Sequence, residues 1–190
     1  RKLIVSPTGS GKTLMIYSVV RYFAEKNHKI LIIVPTTSLV EQMFKDFEDY
    51  GWDSENNCHK IYSGKDKTTN KNVVITTWQS IYKLPRAWFE PFDVVIGDEA
   101  HLFKSKSLVS IMTKMDNAKY RFGFTGTLDG SQTHKWVLEG LFGPSYKVTQ
   151  TKDLIEKGHL SKLQIKVLLL KHDGHEFGQY EDEIQYIIGN

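Results

Sequence analysis

Leu3-Ile4-Val5-Ser6-Pro7-Thr8-Gly9-Ser10-Gly11-Lys12-Thr13 decides how this chain is read. A strand-length apolar run enters a loop of small residues. The loop leaves through Lys12-Thr13 into Leu14, Tyr17, Val20 and Ala24, which recur on a helical period. Small residues at Gly9, Ser10 and Gly11 let successive backbone N–H groups face an anion, and the helix that follows adds the positive end of its dipole. Lys12 then reaches β- and γ-phosphates, and the Thr13 hydroxyl suits a magnesium ion. Thr8, Gly9, Ser10, Gly11, Lys12 and Thr13 are therefore the candidate contacts to a nucleoside triphosphate, ATP with Mg2+. The usual pattern opens with a glycine where this chain has Ser6, and a small residue suffices at that turn. A Gly-rich turn carrying a solvated lysine is the competing reading of this stretch alone.

A second stretch, Asp93-Val94-Val95-Ile96-Gly97-Asp98-Glu99-Ala100-His101, ends an apolar strand in adjacent carboxylates. Asp98 at the carboxyl end of a buried strand can hold magnesium, usually through water, and Glu99 can orient or deprotonate the water that attacks a γ-phosphate. An isolated Asp-Glu pair is often only a helix cap. Behind a phosphate loop in the same chain, catalysis is the better reading, with Lys12, Asp98 and Glu99 as its residues.

A third stretch, Arg121-Phe122-Gly123-Phe124-Thr125-Gly126-Thr127, is an apolar strand closed by a Thr-Gly-Thr turn. With it the chain resembles the superfamily 2 helicases, their first RecA-like motor domain in particular. Ser6 to Thr13 resembles motif I, Asp98 to His101 motif II, and Thr125, Gly126 and Thr127 motif III. Between them Ile33 to Gln42 resembles motif Ia and Ile75 to Ile81 motif Ib. The resemblance covers essentially the whole chain, and repair, fork-remodelling and restriction translocases share this form of motif III.

The resemblance implies ATP-driven movement on nucleic acid. DNA, single-stranded or branched, is the expected partner, with RNA the alternative, in recombination, repair and fork processing. A translocase subunit of a restriction or repair complex, and a nucleotide-gated binding module without turnover, are the competing functions. The resemblance also implies that His101 couples the nucleotide site to Thr125, Gly126 and Thr127. Thr36, Thr37, Thr76 and Thr77 would face nucleic-acid phosphates, contacts that position a strand without reading its sequence. Gly64 resembles an intermediate glycine element, and Trp78 either stacks on a base or joins the core. A second RecA-like domain, supplying the arginine that completes the site, is the implied partner within a longer protein. Residues 1–170 would be the first motor domain, trimmed at its N-terminal edge, and 171–190 a connector towards the second.

Composition agrees without identifying a partner. The 190 residues are 40% hydrophobic, and 25 basic against 22 acidic side chains give a net charge of +3, an ordinary balance. A lone Cys58 forms no internal disulfide and suits a reducing cytoplasm, a host's if the protein is phage-encoded. The longest apolar run near the C-terminus, Val167-Leu168-Leu169-Leu170, has strand length and excludes a membrane span. His172 and His175 lack the convergent ligands of a metal site. Trp52, Trp88 and Trp136 read as packing residues.

Strand and helix alternate along the chain. This predicts an α/β, RecA-like P-loop domain with a mostly parallel sheet and helices on both faces. Strands are expected over Lys2–Ser6, Lys29–Val34, His59–Tyr62, Asn72–Thr77, Asp93–Gly97, Arg121–Phe124, Tyr146–Thr149 and Leu163–Leu170. Helices are expected to begin at Thr13 and Ser38, near Gln79, Ser105 and Thr133, and over Tyr180–Ile188. Asp53–Asn57 and Gly64–Asn72 read as polar loops.

Overall fold

A computed structural model of the chain describes residues 1–128, 132–161, 166–167 and 178–189. In chain order the elements are β1 (Lys2–Val5), α1 (Lys12–Ala24), β2 (Ile30–Val34), α2 (Thr37–Asp49), α3 (Ser54–Asn57), β3 (Cys58–Ile61), β4 (Val73–Thr77), α4 (Trp78–Ile81), α5 (Arg86–Phe89) and β5 (Val94–Gly97). A 3-10 turn (Ala100–Lys104), α6 (Lys106–Lys114), β6 (Tyr120–Thr125), α7 (Gln132–Phe142), β7 (Ser145–Lys147) and α8 (Thr151–Glu156) follow. These belong to one unit, Arg1–Leu160; a second unit, Ser161–Asn190, contains α9 (Tyr180–Gly189).

The strands form a seven-stranded sheet in the order β3-β4-β2-β5-β6-β1-β7. Every pairing in it is parallel. All five residues of β2 are buried because both faces of the sheet are covered. Their side chains divide with the strand period of two. Ile30, Ile32 and Val34 join the core under α1 and α2, and Leu31 and Ile33 join the core under α6 and α7. β4 and β5 repeat the division, Val73, Ile75, Val94 and Ile96 on the first face and Val74 and Val95 on the second.

On the second face β5 and β6 carry glycines in register, Gly97 beside Gly123. The missing side chains make a hollow filled by Phe103 and Phe142, whose rings meet edge to face with centroids 5.0 Å apart. A Cβ at Gly97 would stand 2.6 Å from Phe103 Cζ, and one at Gly123 2.9 Å from Phe142 Cγ. The aromatic pair thus lies directly beneath the ends of the two strands that carry Asp98 and Thr125.

Most expected elements are present, within the usual uncertainty of element ends. Asp53–Asn57, expected as a loop, contains the one-turn helix α3, started by Asp53 accepting a bond from the Asn56 amide at 3.0 Å. β7 begins one residue earlier than expected, and pairing continues past it through a bond from the Val148 amide to the Val5 carbonyl at 2.9 Å. The short helices α5 and α8 lie outside the expected elements, four and six residues being too few for a periodic signal. The strand expected over Leu163–Leu170 lies outside the described residues except for Lys166 and Val167, as do His172 and His175. Trp52 packs against Tyr17 and Phe47, and Trp88 against Phe89 and Phe92. Trp136 departs from the packing expectation: it is 66% exposed on the outer side of α7. No helix among the described residues is long and apolar enough to cross a membrane.

Candidate active site

β5, β6 and β1 are neighbours in the sheet, so their carboxyl ends bring the three quoted stretches together. The loop after β1 starts with the Ser6 amide bonded to the Thr125 carbonyl at 2.9 Å, which ties it to the end of β6. It turns back at Ser10, whose amide and hydroxyl both donate to the Pro7 carbonyl, at 3.2 and 2.5 Å. The Ser6 and Ser10 hydroxyls lie 2.6 Å apart. Gly9 and Gly11 hold φ of 78° and 80°, a region costly for a side-chain-bearing residue. This is the backbone that successive inward amides require. α1 starts at Lys12, one residue earlier than expected, with Gly11 as its N-cap.

Lys12 Nζ is 3.0 Å from Glu99 Oε1, and the pair is largely shielded, with 16% and 32% of the two side chains exposed. Glu99 is one of two residues other than glycine with positive φ among those described, at 48°. This left-handed turn redirects the chain between β5 and the 3-10 turn, and a non-glycine residue held there stores backbone strain. Asp98 is nearly buried and accepts a bond from the Glu99 amide at 2.9 Å. Burial pushes its carboxyl pKa up, and the Glu99 charge adds to that, against the pull of the Glu99 amide and of Lys12.

His101 reaches back to β6, its Nδ1 3.0 Å from Thr125 Oγ1 and 3.4 Å from Glu99 Oε2. The Thr125 hydroxyl donates to the Thr127 carbonyl at 2.8 Å, so its oxygen is left to accept from His101 Nδ1–H. A chain of contacts therefore runs from Lys12 through Glu99 and His101 to Thr125 and Thr127. Gly126 lies beside it, where a Cβ would be 3.8 Å from Lys12 Nζ and 3.7 Å from Thr8 Oγ1. Thr13 follows Lys12 as the second residue of α1, in its first turn.

The residues expected to face nucleic acid divide into two groups. Thr36 and Thr37 are exposed at the start of α2, where Thr36 Oγ1 caps the helix by accepting from the Leu39 amide at 3.3 Å. Gly64 has φ of 82° and open space around it. Thr76 and Thr77 are buried instead. The Thr76 hydroxyl donates to the Thr77 carbonyl at 3.1 Å, and the Thr77 hydroxyl pairs with Ser80 at 2.9 Å. Those hydroxyls fix the turn from β4 into α4. Trp78 is half-buried against the core and packs edge to face on Tyr82. The exposed group next to them is Gln79, whose amide reaches the Pro35 carbonyl at 3.5 Å and bridges the ends of β2 and β4.

Sequence reasoning missed Gly97, Gly123 and the role of Glu41. Two glycines inside apolar strands are a signal of close approach from another element, here Phe103 and Phe142. Glu41 on α2 accepts from Tyr62 at 2.5 Å and Lys60 at 2.9 Å, which pins β3 to α2 and holds the Glu41 carboxyl below its ordinary pKa. No local pattern announces that contact.

Residues 1–130 match the family described as Type III restriction enzyme, res subunit. The ATP-dependent DNA helicase uvsW of Enterobacteria phage T4 is 36% identical over 200 residues, covering 100% of this chain and 40% of that protein. The DNA 3'-5' translocase XPB2 of Sulfurisphaera tokodaii is 28% identical over 181 residues, covering 95% of this chain and 39% of that protein. A crystal structure of the bacteriophage T4 UvsW helicase superposes with a TM-score of 0.70 at 38% identity, over 77% of this chain and 54% of that one. The helicase domain of Pyrococcus furiosus Hef shares the fold at 22% identity, with a TM-score of 0.66 over 79% of this chain and 36% of that one. The chain thus spans about 40% of the length of these two curated relatives. With the loop Ser6–Thr13, the Asp98-Glu99 strand end and the His101–Thr125 contact assembled on one parallel sheet, the chain belongs to the family of the type III restriction enzyme res subunit, as a RecA-like domain of the superfamily 2 helicases.

Proposed function

We propose that this chain is the nucleotide-binding half of an ATP-dependent DNA helicase or translocase that works on branched DNA in recombination and repair. The observation that carries the reading is the ion pair of Lys12 with Glu99 beside buried Asp98, at the mouth of a loop whose two glycines hold positive φ. A structural ion pair has no need of such a loop, and a binding module without turnover has no need of Glu99.

Each residue then has a task. The backbone amides of Thr8 to Gly11 surround the phosphates, and Lys12 leaves Glu99 to neutralise charge between the β- and γ-oxygens. Its departure frees the Glu99 carboxylate to orient and deprotonate the attacking water. The Thr13 hydroxyl and the Asp98 carboxylate suit a magnesium ion, which when bound offsets phosphate charge. The raised proton affinity of buried Asp98 marks it as a carboxylate in need of a cation. His101, sharing its Nδ1 proton between Glu99 and Thr125, carries the state of the γ-phosphate position into the Thr125–Thr127 turn. Thr36, Thr37, Gly64 and Gln79 line the edge offered to a nucleic-acid backbone, Thr76 and Thr77 shaping it from beneath and Trp78 bracing it. The arginine that completes the site, and the rest of the track, come from a second RecA-like domain.

The test is ATPase activity of the longer protein with single-stranded, duplex and forked DNA and with RNA. Stimulation greatest on forked DNA supports this reading. Equal stimulation by RNA, or none by any nucleic acid, refutes it.

A further inference from the structure

A cavity of about 590 Å³ opens beside the phosphate loop, within the range of about 300–1,000 Å³ that small-molecule sites occupy. Its inner wall is Val5, Pro7 and Gly126, and its outer wall is the segment joining β7 to α8. The functional reading above uses none of that outer wall. Three features bear on what it holds.

Position is the first. Gly126 lines the cavity and also neighbours the site, its Cβ position lying 3.7 Å from Thr8 Oγ1 and 3.8 Å from Lys12 Nζ. Lys12 and Glu99 mark where a γ-phosphate reacts, so the cavity adjoins the γ end of the nucleotide. Charge is the second. Lys147 and Lys152 line it, and among the described residues no carboxylate does. Lys152 pairs with Glu156 at 3.8 Å, but with 82% and 63% of those side chains exposed, water screens the pair. Hydrogen bonding is the third. Thr127, Thr149 and Thr151 are among its lining residues, with the apolar Val5, Pro7 and Leu128 beside them. Cations with hydroxyl donors suit a tetrahedral oxyanion.

We propose that this cavity receives inorganic phosphate as it leaves the γ position, with Lys147 and Lys152 holding the anion. The proposal rests on the reading of Thr8 to Thr13 as the nucleotide site. A phosphate of the nucleic-acid backbone has the same chemistry and is the alternative source.

The experiment is amide NMR on the 15N-labelled chain, titrated with sodium phosphate at constant ionic strength, with and without saturating Mg-ADP. Phosphate should shift Thr127, Lys147, Thr149 and Thr151 whether or not ADP is bound. The double variant Lys147→Gln/Lys152→Gln should weaken that response about tenfold. ADP shifts at Gly9 to Thr13 should stay unchanged, which also shows that the variant is folded. Phosphate shifts confined to Gly9–Thr13 and abolished by ADP would overturn the proposal. So would displacement of phosphate from the cavity by a short DNA duplex that leaves the ADP shifts in place, which would assign the cavity to the backbone. Absence of any ADP response at Gly9–Thr13 in the parent chain would overturn the nucleotide reading itself, and the exit role with it.

Discussion

Replacing Gly97 by alanine tests whether the aromatic pair beneath the ends of β5 and β6 is packed as tightly as the geometry says. The new methyl would stand 2.6 and 2.8 Å from Phe103 Cζ and Cε2 and 3.0 Å from Phe142 Cζ. Carbon atoms rest at roughly 3.5–4.0 Å, so the contacts are short by about 0.5–1.4 Å. Phe103 is 1% exposed and Phe142 fully buried, and neither ring can swing into solvent. Overpacking of this kind costs about 1–3 kcal/mol. The alanine also reduces the freedom of the unfolded chain, which returns about 0.4–1 kcal/mol. The clash is the larger effect, and at the middle of the two ranges a net loss of about 1.3 kcal/mol is expected.

Urea unfolding followed by tryptophan fluorescence reads that loss as a lower midpoint at unchanged slope. Phe103→Leu removes the ring atoms that the methyl meets, so the double variant should be more stable than the sum of the single losses allows, by about 1 kcal/mol or more. Additive losses, or a Gly97→Ala chain as stable as the parent, would refute the packing argument. Because Phe103 and His101 share the 3-10 turn, displacing the ring should also weaken Mg-ADP binding.

Lys12→Ala should abolish nucleotide binding measured by calorimetry, and identical titration curves for variant and parent would remove the phosphate-loop assignment. Glu99→Gln should tighten Mg-ADP binding by up to about fivefold, since Lys12 no longer has to leave a charged partner in a partly exposed pair worth about 0.2–1 kcal/mol; weaker binding would count against the latch. In the longer protein the same change should stall hydrolysis, and near-normal single-turnover rates would take Glu99 out of catalysis. Cys58, whose pKa burial pushes up to about 12, should resist a thiol reagent at neutral pH until the chain unfolds. Its contribution to stability is fully present below the free thiol value of 9.0 and declines as pH rises towards 12, so a urea midpoint unchanged up to about pH 9 and falling above it is expected.

What the sequence disclosed and what it withheld follow from the range of the interactions involved. The loop Ser6–Thr13 and the carboxylates of Asp98-Glu99 are each contiguous in sequence, so short patterns mark both, and the sheet brings them within 3.0 Å of each other at Lys12 and Glu99. The alternation of apolar strands and helical periods gave a parallel sheet for the same reason. The buried state of Thr76 and Thr77 was not legible. A hydroxyl at a strand end serves a ligand or the turn below it, and the choice depends on Ser80 and on how α4 packs, which no short pattern encodes. Gly97 and Gly123 show the same limit from the other side. Each is a single letter in an apolar strand, and their meaning arises only when β5 and β6 lie in register and α7 brings Phe142 across both. That arrangement bears on function as well as stability. Asp98 follows Gly97 directly and Thr125 lies two residues beyond Gly123, so one rigid aromatic support sits under both sides of the His101–Thr125 contact. The hydrogen-bonded run from Glu99 through His101 and Thr125 to Thr127 is thereby held on strands that have no room to deform beneath it.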